Sequence, residues 1–478
     1  MSIIKGGNRM EPKERDLNKS YEHAWNKYSD EEMAAVFDFG KQYRHFMSVC
    51  KTERECVDEL TKKAQENGYV DIQHIIKEGI KIKAGHKIYA TNKGKNLFLF
   101  HIGSEPFDKG LRILGAHIDS PRLDLKQNPL YEDSDFAMFD THYYGGIKKY
   151  QWVALPLAIH GVVVKQDGTV QNIVIGEEDD DPVIGVSDLL VHLAQDQLNK
   201  KLGDAIEGEN LNICIGSIPV KDEDEKEKVK QNILRLLNEK YDICEEDFVS
   251  AELEVVPAGR ARDYGLDRSM IMAYGHDDRV CAYTSFEALM KIEQTDKTCV
   301  VALVDKEEIG SVGSTGAHSL FFENTVAEVM HAAGEYTDLA LRRTLANSKM
   351  LSSDVSAGFD PNYPSVMEKR NSAYFGKGMV FNKYTGARGK SGCNDAHPEY
   401  MAELRRIMNK HNVTWQTAEL GKVDQGGGGT IAYILANYGM DVIDCGVPVH
   451  NMHAPWEIVS KADVYETMRG YYAFLLEA

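Results

Sequence analysis

Several apolar segments of the chain end in residues whose side chains can bind a metal ion or transfer a proton. In chain order they are His117 and Asp119 after LRILGA, Asp277 and Asp278 after SMIMAYGH, Glu307 and Glu308 after CVVALVDK, Asp354 after KMLSS, and His450 and His453 after MDVIDCGVPV. Histidine with aspartate and glutamate, and without cysteine, is a ligand set suited to zinc, manganese or cobalt. Because sites in open α/β sheets form at the carboxyl ends of strands, we expect these residues to meet in one place.

Any one of these residues, taken alone, is more typical of a helix cap or a surface loop. Several strand ends with the same chemistry are better explained by a shared site. The arrangement that uses them all is a pair of metal ions, roughly 3.5–4 Å apart, which share one carboxylate and activate a water molecule.

Two carboxylates, Glu307 and Glu308, stand side by side in the stretch DKEEIGS. A solvated turn after a strand is the simplest interpretation. Neighbouring side chains of an extended backbone, however, point to opposite sides. We therefore expect one glutamate to bind a metal ion, while the other takes a proton from the water and gives it to a leaving amine.

The segments that would position these residues indicate an α/β fold. From residue 278 onward, helical and strand patterns alternate, which is typical of a central, mostly parallel sheet flanked by helices. Strand patterns dominate the preceding part, where VSDLLVHLAQDQLNKKL and KDEDEKEKVKQNILRLLNEKY are predicted to be helices. We therefore predict a discontinuous catalytic domain, residues 1–127 and 263–478, with a mostly β domain inserted at 128–262.

Composition restricts the partners of the chain. Its 478 residues carry a formal net charge of −19, which argues against binding to nucleic acid or to an anionic membrane surface. No run of about 18 apolar residues could span a membrane, and the stretch MSIIKGGNRMEPKERD lacks the apolar core of a signal peptide. The eight cysteines form no CxxC pair and indicate reduced thiols, so we expect a cytoplasmic location.

The motifs GAHIDSPRLDLK, GHDDR, DKEEIGS, SSDVSAGFDPNY and MHAPWE occur in this order along the chain. They resemble the M18 family of metalloaminopeptidases, the aspartyl aminopeptidase family, and the chain is similar to its bacterial-type members over nearly its whole length. The resemblance implies a zinc-peptidase-like catalytic domain with an inserted dimerisation domain. It also implies an enzyme that hydrolyses N-terminal residues from peptides with two divalent metal ions, with zinc as the first candidate and manganese or cobalt as alternatives.

The metal ligands of the family correspond to residues of this chain, and they are His117, Asp278, Glu308, Asp354 and His453. Asp278, the second aspartate of GHDDR, matches the carboxylate that both ions share. The resemblance thus implies one ion bound by His117, Asp278 and Asp354. The other ion would be bound by Asp278, Glu308 and His453.

The resemblance also implies roles beside the ions. Glu307 matches the general base, and Asp119 matches the carboxylate that orients the site. For the last metal ligand, His450 is a weaker candidate than His453. In the family, the inserted domain forms dimers and sends a histidine into the partner's active site, and this histidine matches His192. Without the resemblance, His192 would be read as a polar position on an amphipathic helix. Dimers of the family commonly assemble into a tetrahedral dodecamer, so we expect a homo-oligomer.

The substrate pocket departs from the pattern of acid-selective family members. Those members have histidines shortly after the aspartate of SSD, where this chain has Ala357 and Asp360, and a lysine where it has Asn382. Lys383 is adjacent but would point to the other face of its strand. Fewer positive charges and an added carboxylate weaken a pocket for acidic side chains, so we expect an aminopeptidase without strict acidic preference.

Three residues are candidates for binding the substrate: Lys377, Asp360 and Gly428. Gly428 belongs to the run DQGGGGT, which lacks the lysine and the spacing of a phosphate-binding P-loop. A tight turn is the simpler interpretation of the run, but its backbone amides could bind the backbone of a peptide.

The same residues are compatible with two alternatives to an aminopeptidase. One is a related dinuclear metal amide hydrolase, such as a deacylase or a carboxypeptidase-like enzyme. The other is a family member that serves as an assembly or binding protein without catalysis. The complete set of ligands and base favours an enzyme over the second alternative.

Overall fold

The structure is a computed structural model that describes residues 20–222 and 225–478. Its strands, in chain order, are β1 (Val70–Asp71), β2 (Lys87–Asn92), β3 (Asn96–His101), β4 (Arg112–His117), β5 (Arg122–Asp133), β6 (Phe136–Tyr144), β7 (Leu157–Val164), β8 (Val170–Ile175), β9 (Ile213–Gly216), β10 (Ala251–Pro257), β11 (Arg262–Tyr264), β12 (Met270–Ala273), β13 (Cys299–Val304), β14 (Lys349–Ser353), β15 (Ser356–Ala357), β16 (Met379–Asn382), β17 (Trp415–Thr417), β18 (Asp441–Gly446), β19 (Pro448–His450) and β20 (Glu457–Ser460).

The helices of the described residues are α1 (Asp30–Val49), α2 (Glu53–Glu66), α3 (Ile72–Glu78), α4 (Gln195–Leu198), α5 (Lys228–Tyr241), α6 (His276–Met290), α7 (Phe321–Ala333), α8 (Asp338–Ala346), α9 (Ala387–Lys390), α10 (Pro398–Lys410), α11 (Ala432–Ala436) and α12 (Lys461–Glu477). Local sequence explains where the first two begin. Ser29 and Thr52 each accept a hydrogen bond from the backbone three residues on, and the glutamate there bonds back, which forms a capping box.

The central sheet has the strand order β1-β2-β3-β13-β4-β14-β18-β16-β17. Strands β13, β4, β14 and β18 in its middle run parallel to one another, whereas β3 and β16 run antiparallel to their inner neighbours. This arrangement confirms the predicted α/β class.

Helices cover both faces of the central sheet, and β13 shows why the sequence allows this. Val301 and Leu303 pack with residues of α1, α2, α6 and α12, whereas Val300 and Ala302 pack on the other face with residues of α7, α8 and α11. A strand buried on both faces is apolar throughout. Polar functional residues must therefore lie at the strand ends.

A second, antiparallel sheet, here called the insertion sheet, has the order β8-β7-β10-β5-β6-β9. Its first strand in the chain already begins at Arg122, so the predicted boundary between residues 127 and 128 lies inside β5. Its last strand in the chain, β10, ends at Pro257. The helix α5 coincides with residues 228–241 of the predicted charged helix, of which residues 223 and 224 lie outside the described ranges.

A smaller sheet, here called the connecting sheet, has the order β11-β12-β20-β19-β15. Strand β12 leads into the GHDDR motif, and MHAPWE runs from the loop after β19 to the first residue of β20. The connecting sheet therefore brings two distant motifs of the sequence beside the ends of the central strands.

The predicted helix over residues 186–202 is wrong. The structure has a 3-10 turn at Val191–Leu193 followed by the single helical turn of α4. Apolar side chains of this segment, including Leu193 and Leu198, are more than half exposed. Because a short helix in a protein is stabilised mainly by packing of its apolar face, the periodic pattern alone was insufficient here.

Across the described ranges, no helix is both long and apolar enough to cross a membrane.

Candidate metal centre

His117, at the end of β4, faces the other site residues with one ring nitrogen. Its Nδ1 lies 3.0 Å from the carbonyl oxygen of Asp119 and 3.2 Å from Asp119 Oδ1. Because a carbonyl oxygen can only accept, Nδ1 carries the proton and donates it. Nε2, 3.2 Å from Asp277 Oδ1, is therefore the ring nitrogen that could bind a metal ion after losing its proton.

Asp277 lies between two histidines. Its Oδ1 is 3.2 Å from His117 Nε2, and its Oδ2 is 3.3 Å from His453 Nε2. This is the position that a carboxylate shared by two ions would take. The sequence assignment of this role to Asp278 is therefore not supported by the geometry.

Asp278, the next residue, is completely buried and lies beside Asp277 and Asp354. In the described part of the chain, no hydrogen bond of normal geometry reaches its carboxylate oxygens. The motif GHDDR alone does not show which aspartate faces the histidines. That depends on the backbone path between β12 and α6.

Glu307 and Glu308 occupy a 3-10 turn, Glu307–Ile309, and not the extended backbone that the sequence suggested. Lys306, at a φ of 65°, turns the chain out of β13. The two side chains nevertheless diverge. Glu307 Oε2 lies 3.9 Å from His117 Nε2, whereas Glu308 Oε2 lies 3.5 Å from His453 Nε2.

Asp119 connects this turn to His117. Its Oδ1 accepts the backbone N–H of Glu307 and its Oδ2 accepts that of Glu308, both at 3.1 Å. The same carboxylate lies beside the ring of His117. The geometry therefore supports the predicted orienting role of Asp119.

The remaining predicted ligands converge on the same place. Three groups of possible ligand atoms each fit within 4.8 Å: His117, Asp277 and Glu308; His117, Glu307 and Asp354; and Asp277, Asp278 and Asp354. His450, by contrast, stacks on Phe375 with ring centroids 4.2 Å apart, and its Nε2 lies 3.1 Å from the carbonyl oxygen of Phe359. It does not belong to the cluster.

Burial and mutual repulsion dominate the electrostatics of these carboxyl groups. Burial, with Asp119 and Asp277 nearby, raises the pKa of Glu307 to about 7, although His117 opposes the rise. Burial, together with Asp277, raises the pKa of Glu308 well above its usual range.

The pKa values of the two histidines are raised, which favours their charged form. Burial opposes that form, yet hydrogen bonds with Asp119 and Asp277 raise the pKa of His117 well above its usual range. Against the same effect of burial, Asp277 and Glu308 raise the pKa of His453 to about 10.

Crowded carboxylates need a cation to remain charged, and a divalent metal ion fits this need. The cluster borders a cavity of about 410 Å³. Within the described ranges, no lysine or arginine lines that cavity. Glu308 Oε1 is buried without a hydrogen-bond partner there, as expected for an atom that binds a metal ion.

The predicted substrate-binding residues lie in different places. Gly428 lines the cavity, but its N–H already donates to the carbonyl oxygen of Thr385 at 3.1 Å. Lys377 donates to the carbonyl oxygen of Tyr21 at 2.7 Å and does not line the cavity. Asp360 also lies outside the cavity lining, where its carboxylate accepts the N–H of Asn362.

Asn382 lines the cavity, as the alignment with acid-selective enzymes suggested. Lys383 is paired with Asp395 and does not line the cavity. His192 lies on the exposed 3-10 turn Val191–Leu193 and is not part of the centre within its own chain.

The sequence did not identify Glu457, which holds the backbone of two residues of the centre. Its Oε2 accepts the backbone N–H of Asp277 at 3.0 Å, and its Oε1 accepts that of His453 at 2.7 Å. Glu457 is buried, and it is the last residue of MHAPWE. A charged residue directly before the apolar pair Ile458 and Val459 was the signal that could have identified it.

Comparison with known proteins agrees with the motifs. The chain matches the family model described as Aminopeptidase I zinc metalloprotease (M18) over residues 46–475. A protein of Clostridium acetobutylicum named probable M18 family aminopeptidase 1 is 69% identical over 460 residues, which cover 96% of this chain and 99% of that protein. A Thermotoga maritima protein of the same name is 46% identical over 450 residues, which cover 94% of this chain and 97% of that protein.

Solved structures share the fold. Aminopeptidase I from C. acetobutylicum aligns with a TM-score of 0.90 at 66% identity, over 96% of this chain and 100% of that one. The S. cerevisiae mApe1 dodecamer aligns with a TM-score of 0.74 at 21% identity, over 91% of this chain and 96% of that one. Since the family match spans residues 46–475 and both bacterial relatives align over nearly their full lengths, the chain belongs to the M18 family of metalloaminopeptidases.

Proposed function

We propose that the chain removes the N-terminal residue of peptides at a centre of two divalent metal ions, with zinc as the first candidate and manganese or cobalt as alternatives. The observation that carries this proposal is the position of Asp277, whose two carboxylate oxygens face His117 and His453 separately. His117, Asp277 and Asp354 would hold one ion, and Asp277, Glu308 and His453 the other. Bound ions of this kind polarise a peptide carbonyl and make a water molecule more acidic.

Glu307 is the proposed general base. It lines the cavity, and its side chain is the one of the pair that is farther from its histidine. In this role its carboxylate takes a proton from the attacking water. The protonated carboxyl then donates that proton to the nitrogen of the leaving amine as the peptide C–N bond breaks.

The cavity supports an aminopeptidase without strict acidic preference. Asn382 stands where acid-selective members have a lysine, and Lys383 is turned toward Asp395. A carboxylate on the substrate side chain would therefore meet no cation among the described lining residues, and burying an unpaired charge is costly. On a panel of aminoacyl anilides, Leu, Met and Lys substrates should be cleaved at least as fast as Asp and Glu substrates.

The test of the main proposal compares one peptide with a free and with an acetylated N-terminus, with zinc, manganese and cobalt added in turn. Only the free peptide should be cleaved, and the first amino acid should be released. Cleavage of the acetylated peptide, or release of the C-terminal residue, would instead indicate a deacylase or a carboxypeptidase-like enzyme. Full metal binding without any hydrolysis would indicate the non-catalytic alternative.

We further propose that the chain forms homodimers through its inserted domain and that these build a dodecamer with tetrahedral symmetry. The exposed apolar residues Val191 and Leu193 flank His192, and an apolar exposed segment is typical of a protein interface. In such a dimer, His192 would enter the partner's site and stabilise the oxyanion that forms on the carbonyl. A cytoplasmic location is consistent with the buried free thiols of Cys281 and Cys445.

A further inference from the structure

The segment Tyr144–Gly146, at the end of β6, touches both halves of the candidate metal centre. The hydroxyl of Tyr144 donates to Asp119 Oδ2 at 2.8 Å. The carbonyl oxygen of Gly146 accepts a hydrogen bond from His453 Nδ1 at 2.9 Å. Strand β6 belongs to the insertion sheet. One strand end of the insertion therefore reaches groups that the central sheet and the connecting sheet hold on opposite sides of the site.

Through Asp119, Tyr144 is connected to both glutamates and to His117. The Asp119 carboxylate accepts the backbone N–H groups of Glu307 and Glu308 at 3.1 Å and lies 3.2 Å from His117 Nδ1. An additional donor from Tyr144 fixes the rotation of this carboxylate. A fixed carboxylate in turn sets the direction in which the Nε2 lone pair of His117 points, because Nδ1–H donates toward Asp119.

The ring of Tyr144 packs against Arg122, whose ion pairs connect the insertion sheet to the catalytic domain. The guanidinium of Arg122 lies 4.0 Å from the centre of its ring. Arg122 is buried and pairs with Glu53 of α2 at 2.9 Å and with Glu254 of β10 at 3.2 Å. Burial and the charge of Asp119 raise the pKa of Tyr144 far above its usual range, so its hydroxyl stays a donor.

The two glycines explain how a backbone carbonyl can reach His453. Gly145 has a φ of +73°, which disfavours a side chain at that position. A Cβ at Gly146 would lie 3.3 Å from His453 Nδ1, closer than side-chain carbons normally pack. The absence of both side chains lets the strand end lie directly against the imidazole.

We propose that Tyr144 is a positioning residue and that the Tyr144–Gly146 segment is the means by which the insertion sheet aligns both metal-binding histidines. The inserted domain then acts within its own subunit, independently of subunit assembly. This inference rests on the two-ion function proposed above. Without the Tyr144 hydroxyl, the Asp119 carboxylate can rotate, and both His117 and the Glu307–Ile309 turn lose an anchor.

The experiment replaces Tyr144 by phenylalanine, which keeps the ring over Arg122 and removes only the hydroxyl. Loss of a group that orients a metal ligand typically lowers metal affinity or activity by about 10- to 100-fold. We expect kcat on a leucine anilide to fall by about that factor while KM changes by less than about 3-fold. Calorimetric titration of the metal-free protein should show weaker zinc binding, whereas its Tm should stay within about 2 °C. Tyr143→Phe, at the exposed neighbouring residue, should leave all four quantities unchanged.

A second variant, Gly146→Ala, tests the His453 side and should weaken binding of one zinc equivalent more than the other. The inference is overturned if Tyr144→Phe keeps kcat and zinc affinity within about 2-fold of wild type, or if Tyr143→Phe loses as much. A large fall in the Tm of metal-free Tyr144→Phe also overturns it, since that indicates a general structural role. Wild-type protein that binds fewer than two zinc equivalents contradicts the two-ion function itself, and the inference with it.

Discussion

Two adjacent glutamates of one turn face different groups. Glu307 and Glu308 both donate their backbone N–H to Asp119, at 3.1 Å each. Because one carboxylate holds both amides, the difference between them arises in the side chains, which approach His117 and His453 respectively. The proposed general base and the proposed metal ligand can thus be consecutive residues without competing for one ion.

Replacing Glu307 by glutamine should lower kcat by about 10²–10⁴-fold, because an amide cannot accept the proton of the attacking water. The metal content, measured by mass spectrometry of the purified protein, should remain that of wild type. Glu328→Gln, an exposed position on α7, is the matched control and should keep full activity. Near-normal rates for Glu307→Gln would refute the division of roles between the glutamates.

Replacing Asp277 by asparagine should reduce the bound metal from two equivalents to one or fewer, since Asp277 faces both histidines. Asp278→Asn should retain more metal, because the Asp278 side chain lies beside Asp277 and Asp354 and in no ligand group with a histidine. Metal analysis after dialysis measures both variants. A greater loss in Asp278→Asn would restore the assignment made from the sequence.

Among the structural elements, the joint between α2 and the insertion sheet contains a buried charged cluster. His160 of β7 lies between Glu55 of α2, at 2.7 Å, and Glu177, at 3.1 Å. Lys51 also binds Glu177, at 2.5 Å. Although burial opposes the charged form, the hydrogen bonds with both glutamates raise the pKa of His160. The protonated imidazole of His160 therefore stabilises the joint.

This cluster predicts a pH dependence of stability. A histidine whose folded pKa is raised contributes fully below its unfolded pKa, about 6.5, and loses its contribution as the pH rises through the folded pKa. His160→Gln should therefore lower the free energy of unfolding by about 1.5–3 kcal/mol at pH 6, and by less at pH 9. Denaturant unfolding measures this, and His74→Gln, an exposed position on α3, should show no such dependence. An equal loss at both pH values would contradict the prediction.

For the whole molecule, the proposed assembly explains an exposed apolar segment that the chain cannot cover itself. Leu190, Val191, Leu193 and Leu198 are each more than half exposed on the inserted domain. Water contact of this kind is unfavourable by about 25 cal/mol per Å² of apolar surface. A partner subunit that covers the segment would also determine where His192 points.

Leu193→Asp should therefore shift the protein to smaller species in sedimentation velocity and lower its activity, because a buried charge at the interface opposes association. Leu266→Asp, at a fully exposed residue of the catalytic core, is the control and should leave the assembly intact. His192→Ala should lower kcat without changing the sedimentation coefficient. An unchanged assembly in Leu193→Asp would exclude this segment as the interface, and full activity in His192→Ala would exclude the histidine from the reaction.

The α/β class and the position of the site at strand ends were predictable, because hydrophobic periodicity is a local property of the chain. The predicted helix at 186–202 is wrong, because apolar side chains of this segment are exposed in the single chain and do not stabilise a helix by packing. The substrate candidates Lys377 and Asp360 lie outside the cavity lining for a related reason. Their chemistry suits a ligand, but their side chains bind Tyr21 and Asn362 outside the cavity.

The residues that could bind metal and move protons were predictable from the sequence, because the chemistry of His117, Glu307 and Glu308 and their place after apolar strands are local properties of the chain. The position of Asp277 between the histidines and the reach of Tyr144 from the insertion to the centre follow from the tertiary fold alone. Those facts depend on distances between segments far apart in the chain and on the backbone path between elements. No local pattern of residue types contains that information.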